Sequence, residues 1–249
     1  MIRADKLLAI GLLVFGAVVL RAEITLVDTN SDIWESNQST TEVAPPAGMQ
    51  DDDVLVLGFC KDDNPSVTCT SDGLTLIDSG SWSGGTQCNG SLWYRVITDA
   101  GSEPSTYTCT HDEEQGTYIT ALLRGVDTGT PLDVANSEYR GNNDITPAHP
   151  GVTTVTDCAW IFMVECTGDT GSSPVDHPSG STERLDLDNT SGNGAENAMA
   201  DFVQVDFGAT GDQEWTGLDT GAETVLHLQA FRPATADCTG PAGRTRRMF

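Results

Sequence analysis

Short apolar or alternating runs recur along the chain between clusters of Gly, Asp, Asn and Ser, and helical periodicity is nearly absent. This rhythm predicts strands over 24–28, 40–44, 53–60, 74–78, 91–98, 105–110, 117–125, 152–156, 159–166, 198–207, 213–216 and 223–232. Val54-Leu55-Val56-Leu57 and Ile161-Phe162-Met163-Val164 are continuously apolar, the pattern of strands covered on both faces. Asp201 to Phe207 alternates, as a half-exposed strand does. One open sheet would leave an apolar face wet, so the pattern predicts two sheets packed face to face in an all-β, antiparallel, jelly-roll-like β-sandwich. Residues 167–197 form the longest stretch without this rhythm and read as a loop.

No repeat or Pro-rich linker divides the 249 residues, so residues 23–234 are expected to form one sandwich domain. Residues 1–22 differ in kind. Arg3 and Lys6 precede an apolar run from Leu7 to Leu20, the anatomy of a secretory signal and too short for a spanning helix. If uncleaved, this segment would be a hydrophobic anchor or arm, and residues 7–20 would be the chain's membrane contact. Residues 235–249 form a C-terminal tail in which Arg244, Arg246 and Arg247 make the densest positive cluster.

The formal charge of −25 changes the picture of partners. Lysine occurs only at Lys6 and Lys61, so the folded surface is a negative, solvated shell that repels nucleic acid and anionic lipid. The basic tail is the natural complement of such a shell on a neighbouring subunit, a second copy or another structural protein, which predicts an oligomer.

Seven cysteines behind an export-like start predict disulfides in an oxidising compartment with one thiol left over. Cys60 and Cys69 bracket a turn-rich segment and are expected to close a loop there. Cys158 and Cys166 flank an extended strand, which holds them too far apart to pair with each other. Without a Cys-x-x-Cys and with scattered histidines, the sequence gives no zinc pattern. His227, within Val225-Leu226-His227-Leu228, reads as a strand residue with a satisfied ring.

Candidate chemistry is sparse. Glu165 ends an apolar strand and Glu214 adjoins Trp215, but no closely spaced acids announce a glycosidase pair. No nucleophile motif accompanies the histidines, and no phosphate-cradling loop is present. No catalytic residue is therefore assigned. The oxygen-rich turn around Asp186, Asp188 and Asn189 is the candidate calcium site, although it lacks the Gly and Glu of an EF-hand loop, with Asp51-Asp52-Asp53 a weaker one. Trp82, in a Gly/Ser-rich loop, is the leading candidate to stack on a glycan, with Trp34 the lesser.

A series of phrases runs in order through the chain: Ile24-Thr25-Leu26-Val27, Pro46-Ala47-Gly48, Asp52-Asp53, Tyr94-Arg95, Glu103-Pro104 with Tyr107, Arg124-Gly125-Val126-Asp127, Pro131-Leu132-Asp133 and Phe231-Arg232-Pro233. Together they resemble a β-sandwich domain of phage structural and tail-associated proteins and of bacterial secreted or surface proteins. Asp52 stands where that pattern usually has Gly, and the cysteines are not part of it. The physical roles expected of these residues are structural. Gly48 and Gly125 suit turns of positive φ, and Arg95 and Arg124 can pair with carboxylates at strand ends. The resemblance implies a non-enzymatic structural or adhesive surface module, foremost a virion component such as a capsid decoration or tail-associated subunit, outside the cell or on the virion surface. The alternative is a bacterial secreted or surface-anchored carbohydrate-binding protein that meets a cell-surface glycan.

Overall fold

The computed structural model describes residues 23–63, 66–69, 72–82, 88–142, 144–168, 175–189, 194–218 and 223–235. They form twelve strands: β1 (Thr25–Val43), β2 (Val54–Asp62), β3 (Thr75–Trp82), β4 (Cys88–Val96), β5 (Tyr107–Arg124), β6 (Ser137–Asn142), β7 (Ala148–His149), β8 (Ala159–Gly168), β9 (Thr182–Leu187), β10 (Ala195–Gln204), β11 (Gln213–Glu214) and β12 (Glu223–Phe231). Every named pairing is antiparallel, and no helix occurs among the described residues. One sheet has the order β1-β5-β2-β4-β3 and the other β6-β12-β8-β10-β9. The chain thus completes one sheet before it begins the other, and the antiparallel sandwich expected from the pattern is the observed architecture.

The two continuously apolar runs are β2 and β8, the middle strand of each sheet, and every residue of both is buried. Their inward faces meet in the central core, where Val56 and Val54 join Phe162, Val164 and Phe231. The outward faces are covered too. Leu55 and Leu57 lie under Val43, Val67 and Tyr107 on one side, while Ile161 and Met163 lie under Val152, Val175 and Trp215 on the other. Gly58 lets the sheets approach, since a Cβ there would stand 3.0 Å from Val164.

Strands expected separately at 24–28 and 40–44, and at 105–110 and 117–125, are halves of single strands, β1 and β5. These two pair along a ribbon whose register shifts between Trp34 and Gln38 and again between Gln38 and Thr40. There the ribbon bends, and its far half folds back over the first sheet. The Tyr118 hydroxyl accepts from the Ala44 amide at 3.2 Å, and the Thr120 hydroxyl donates to the Ala44 carbonyl at 3.2 Å. The polar bend residues interrupt the apolar pattern, and the pairing of β1 with β5 resumes on the far side of the bend.

Other expectations need correction. Residues 167–197 contain β9, an edge strand whose charged, half-exposed sequence hides its alternation; Arg184 there pairs with Asp201 of β10 at 2.7 Å. β6 is likewise a polar edge strand that the pattern missed. Residues 152–156 form no named strand and make only the isolated bridge Thr153 to Ala209.

Cys60 bonds Cys166, tying the middle strands of the two sheets, and Cys69 bonds Cys109. The expected Cys60–Cys69 loop does not form, because Cys60 points inward at the facing sheet. Cys158 is disulfide-bonded but not to Cys166, and Cys88 is the free, buried thiol among the described residues. No helix among the described residues is long and apolar enough to cross a membrane.

Candidate functional site

The phrase residues converge on one another. Arg124, ending β5, sets two parallel bonds of 2.8 Å on the Asp53 carboxylate, and Asp53 itself is fully buried. Arg95 of β4 grips Glu103 at 2.7 and 3.0 Å, and the Tyr107 hydroxyl donates to the same carboxylate at 2.9 Å. Arg232 reaches Asp133 at 3.4 Å, and that buried carboxylate also accepts the Val155 amide at 2.8 Å. Gly48 and Gly125 take φ of 79° and 88°, the positive values their turns require. Asp52 takes φ 68°, so it occupies the left-handed conformation in which a glycine is at ease. The Asp51-Asp52-Asp53 turn is bound up with the protein itself: the Gln50 amide donates to Asp53 at 2.8 Å and the Ala100 amide to Asp51 at 2.8 Å.

Trp34 is not a surface aromatic. It is 8% exposed, lies 5.0 Å from the Phe59 ring and 5.6 Å from His111, and donates its indole N–H to the Glu114 carbonyl at 2.8 Å. Gly116 makes room for it, because a Cβ there would run into the indole. Trp82 ends β3 half-buried, packed against a cluster that includes Cys60, Cys88, Cys166 and Val225. Of the two aromatic candidates it alone keeps appreciable accessible surface.

Asp186 lies on β9 and its carboxylate accepts the Val175 amide at 3.2 Å, while the Asn189 side-chain amide donates to the Trp34 carbonyl at 3.3 Å. Asp188 follows the end of the strand, half-buried. What Asp186 does approach is Glu165. Glu165 is fully buried on β8, and neither of its oxygens finds a hydrogen-bond partner among the described residues. Burial, then the charges of Glu196 and Asp186, push its pKa well above the ordinary carboxyl range. Glu165 is sealed within the fold. Glu214, by contrast, sits at the rim of a half-open depression of about 320 Å³ shared with His177, Asp212 and Gln213. The His177 ring there is engaged by the Ser181 hydroxyl at 2.9 Å.

A third group was invisible in the sequence. Asp78 of β3, Glu138 of β6 and His227 of β12 bring potential ligand atoms within 4.8 Å of one another where the edges of the two sheets meet. Glu138 and His227 are cross-strand partners, and Asp78 comes from the opposite sheet. His227 Nδ1 lies 3.6 Å from Asp78 Oδ2, within ion-pair reach but too far for a hydrogen bond, and neither ring nitrogen has a hydrogen-bond partner among the described residues. The expectation of a satisfied ring is thus corrected: the residue is in a strand, but its imidazole side chain is wholly buried with neither nitrogen hydrogen-bonded among the described residues. Arg140 holds Glu138 at 2.7 and 2.8 Å, and Asn136 donates to Asp78 at 2.5 Å. Burial alone would raise the Asp78 pKa. The His227 ring and hydrogen bonds from Ser79 and Asn136 outweigh it, holding the carboxyl below its ordinary value.

Arg244, Arg246, Arg247 and the apolar run 7–20 lie outside the described residues. Comparison of the chain with protein-family models, curated proteins and solved structures finds no match.

Proposed function

We propose that the chain is a non-enzymatic structural or adhesive surface module, with a virion component, a capsid decoration or tail-associated subunit, as the favoured setting. The observation that carries this reading is the use made of the phrase residues: Arg95, Arg124 and Arg232 each close on a carboxylate of the same sandwich. Residues of a recurrent pattern that serve internal clamps support a scaffold role rather than a reaction. The acidic shell and the Arg-rich tail fit an assembled subunit, held to its neighbours by charge.

The alternative, a bacterial secreted or surface carbohydrate-binding protein, draws on a specific observation as well. Disulfides such as Cys60–Cys166 and Cys69–Cys109 fit a protein matured in an oxidising compartment. The two settings share the surface role and differ in the start of the native chain. Mass spectrometry of the mature N-terminus separates them. An intact Met1 in purified particles supports the assembled subunit, and a chain beginning near Glu23 in the culture medium supports the exported binder. A protein that turns over glycans or esters in a substrate screen contradicts both.

A further inference from the structure

The strongest unassigned feature is the meeting of Asp78, Glu138 and His227 between the sheet edges. An imidazole with a wholly buried side chain is normally hydrogen-bonded, since burial without a partner costs free energy. Neither His227 nitrogen has a hydrogen-bond partner among the described residues, and two carboxylates face the ring, Asp78 at 3.6 Å. That combination, one imidazole nitrogen and two carboxylates converging from three strands, is a ligand set suited to a divalent ion.

We propose that Asp78, Glu138 and His227 bind a divalent transition-metal ion of the zinc type, which fastens edge strand β3 of one sheet to β6 and β12 of the other. Imidazole selects this class over calcium and magnesium, which favour all-oxygen shells. Ligands of a tetrahedral ion with bonds of about 2.0 Å stand roughly 3.3 Å apart. The His227–Asp78 separation of 3.6 Å is already close to that edge, and all three ligand atoms lie within 4.8 Å of one another, so Glu138 would close the remaining gap by turning inward from Arg140. Asp78 and Glu138 supply negative charge to the ion, Glu138 sharing its carboxylate with Arg140. Asp78, with 27% of its side chain exposed, gives the ion access from solvent.

The surroundings are those of a braced site. Asn136 and the Ser79 amide, at 2.5 and 2.9 Å, fix both Asp78 oxygens, and Arg140 fixes Glu138. Such outer contacts orient ligands before the ion arrives. Gly80 leaves the space that Glu138 occupies, since a Cβ on it would collide with that carboxylate and stand 2.8 Å from Val225.

Equilibrium dialysis of the full chain against zinc chloride, with magnesium in large excess to saturate the acidic shell, tests the proposal. The expected result is one tightly held zinc per chain, a rise in Tm on loading, and, with cobalt in its place, visible absorption of a low-symmetry site. His227→Gln and Asp78→Asn should each abolish the stoichiometric ion, and Asn136→Ala should weaken it about tenfold. Because His227 is buried, its variant is read beside Asp78→Asn and Glu138→Gln, which alter half-exposed positions and are checked for native circular dichroism. Wild-type chain that holds no more zinc than folded Asp78→Asn, or that binds equally in all three variants, overturns the proposal and leaves an internal charge cluster only.

Discussion

The Arg124 guanidinium meets the Asp53 carboxylate in two parallel bonds of 2.8 Å, and only the arginine reaches water: its side chain is 38% exposed against 1% for the aspartate. The asymmetry fixes what substitution does. Arg124→Ala strands a buried carboxylate and should cost about 3 kcal/mol in urea unfolding, the low end of the range for breaking a buried pair. Replacing both partners by apolar residues should cost less than Arg124→Ala alone. Equal losses for the single and double variants would mean that the pair is not a unit.

The Cys60–Cys166 bond closes a sequence separation of 106 residues and Cys69–Cys109 one of 40. Constraint of the unfolded chain predicts a loss of about 4–5 kcal/mol for replacing the first pair by alanine and about 4 kcal/mol for the second. Cys88 should resist alkylation in the native protein and react on unfolding. It is buried, and burial, with the charges of Glu165 and Glu223, raises its pKa so that little thiolate forms.

Glu165 gives a pH signature. Its folded pKa lies above the unfolded value, so its contribution to stability is fully present below about pH 4.5 and is lost as pH rises through the folded pKa. Glu165→Gln removes that loss. The variant should match wild type near pH 4 and unfold at a higher temperature than wild type at pH 8. His149 acts in the opposite direction: burial pushes its pKa down to about 4 from 6.5, so acidification across that window favours the unfolded chain. Comparing variant with wild type at each pH cancels the His149 contribution. A gain that does not grow with pH would show that folding does not raise the Glu165 pKa.

How much of this was legible depends on which residues carried it. β2 and β8 stood out because middle strands of a covered sheet are apolar throughout, and the phrase arginines announced their pairing because charged residues at strand ends need partners. β6 and β9 did not stand out: edge strands are charged and half-exposed, and their pairing is set by the neighbouring strand. The burial of Trp34 was hidden for a similar reason, since only the fold-back of the β1–β5 ribbon brings Phe59 and His111 against it. Nor could spacing reveal Asp78, Glu138 and His227. They are far apart in sequence and become neighbours only when the edge of one sheet meets the edge of the other.

Trp82 is the position at which an adhesive role would be read. Trp82→Ala should abolish binding on a glycan array and lower Tm by only a few degrees if the ring stacks on a sugar. A large drop in Tm with no array ligand for the wild type would assign it to packing on the Cys60–Cys166 cluster.

The central claim, a disulfide-locked surface module, is tested most directly by quantitative mass spectrometry of native material whose free thiols are blocked before fractionation into particles, exported proteins and cell interior. The account predicts the chain in particles or the exported fraction, with Cys60 joined to Cys166 and Cys69 to Cys109, and with Cys88 as a thiol. A chain found in the cell interior with all of these cysteines reduced would contradict it.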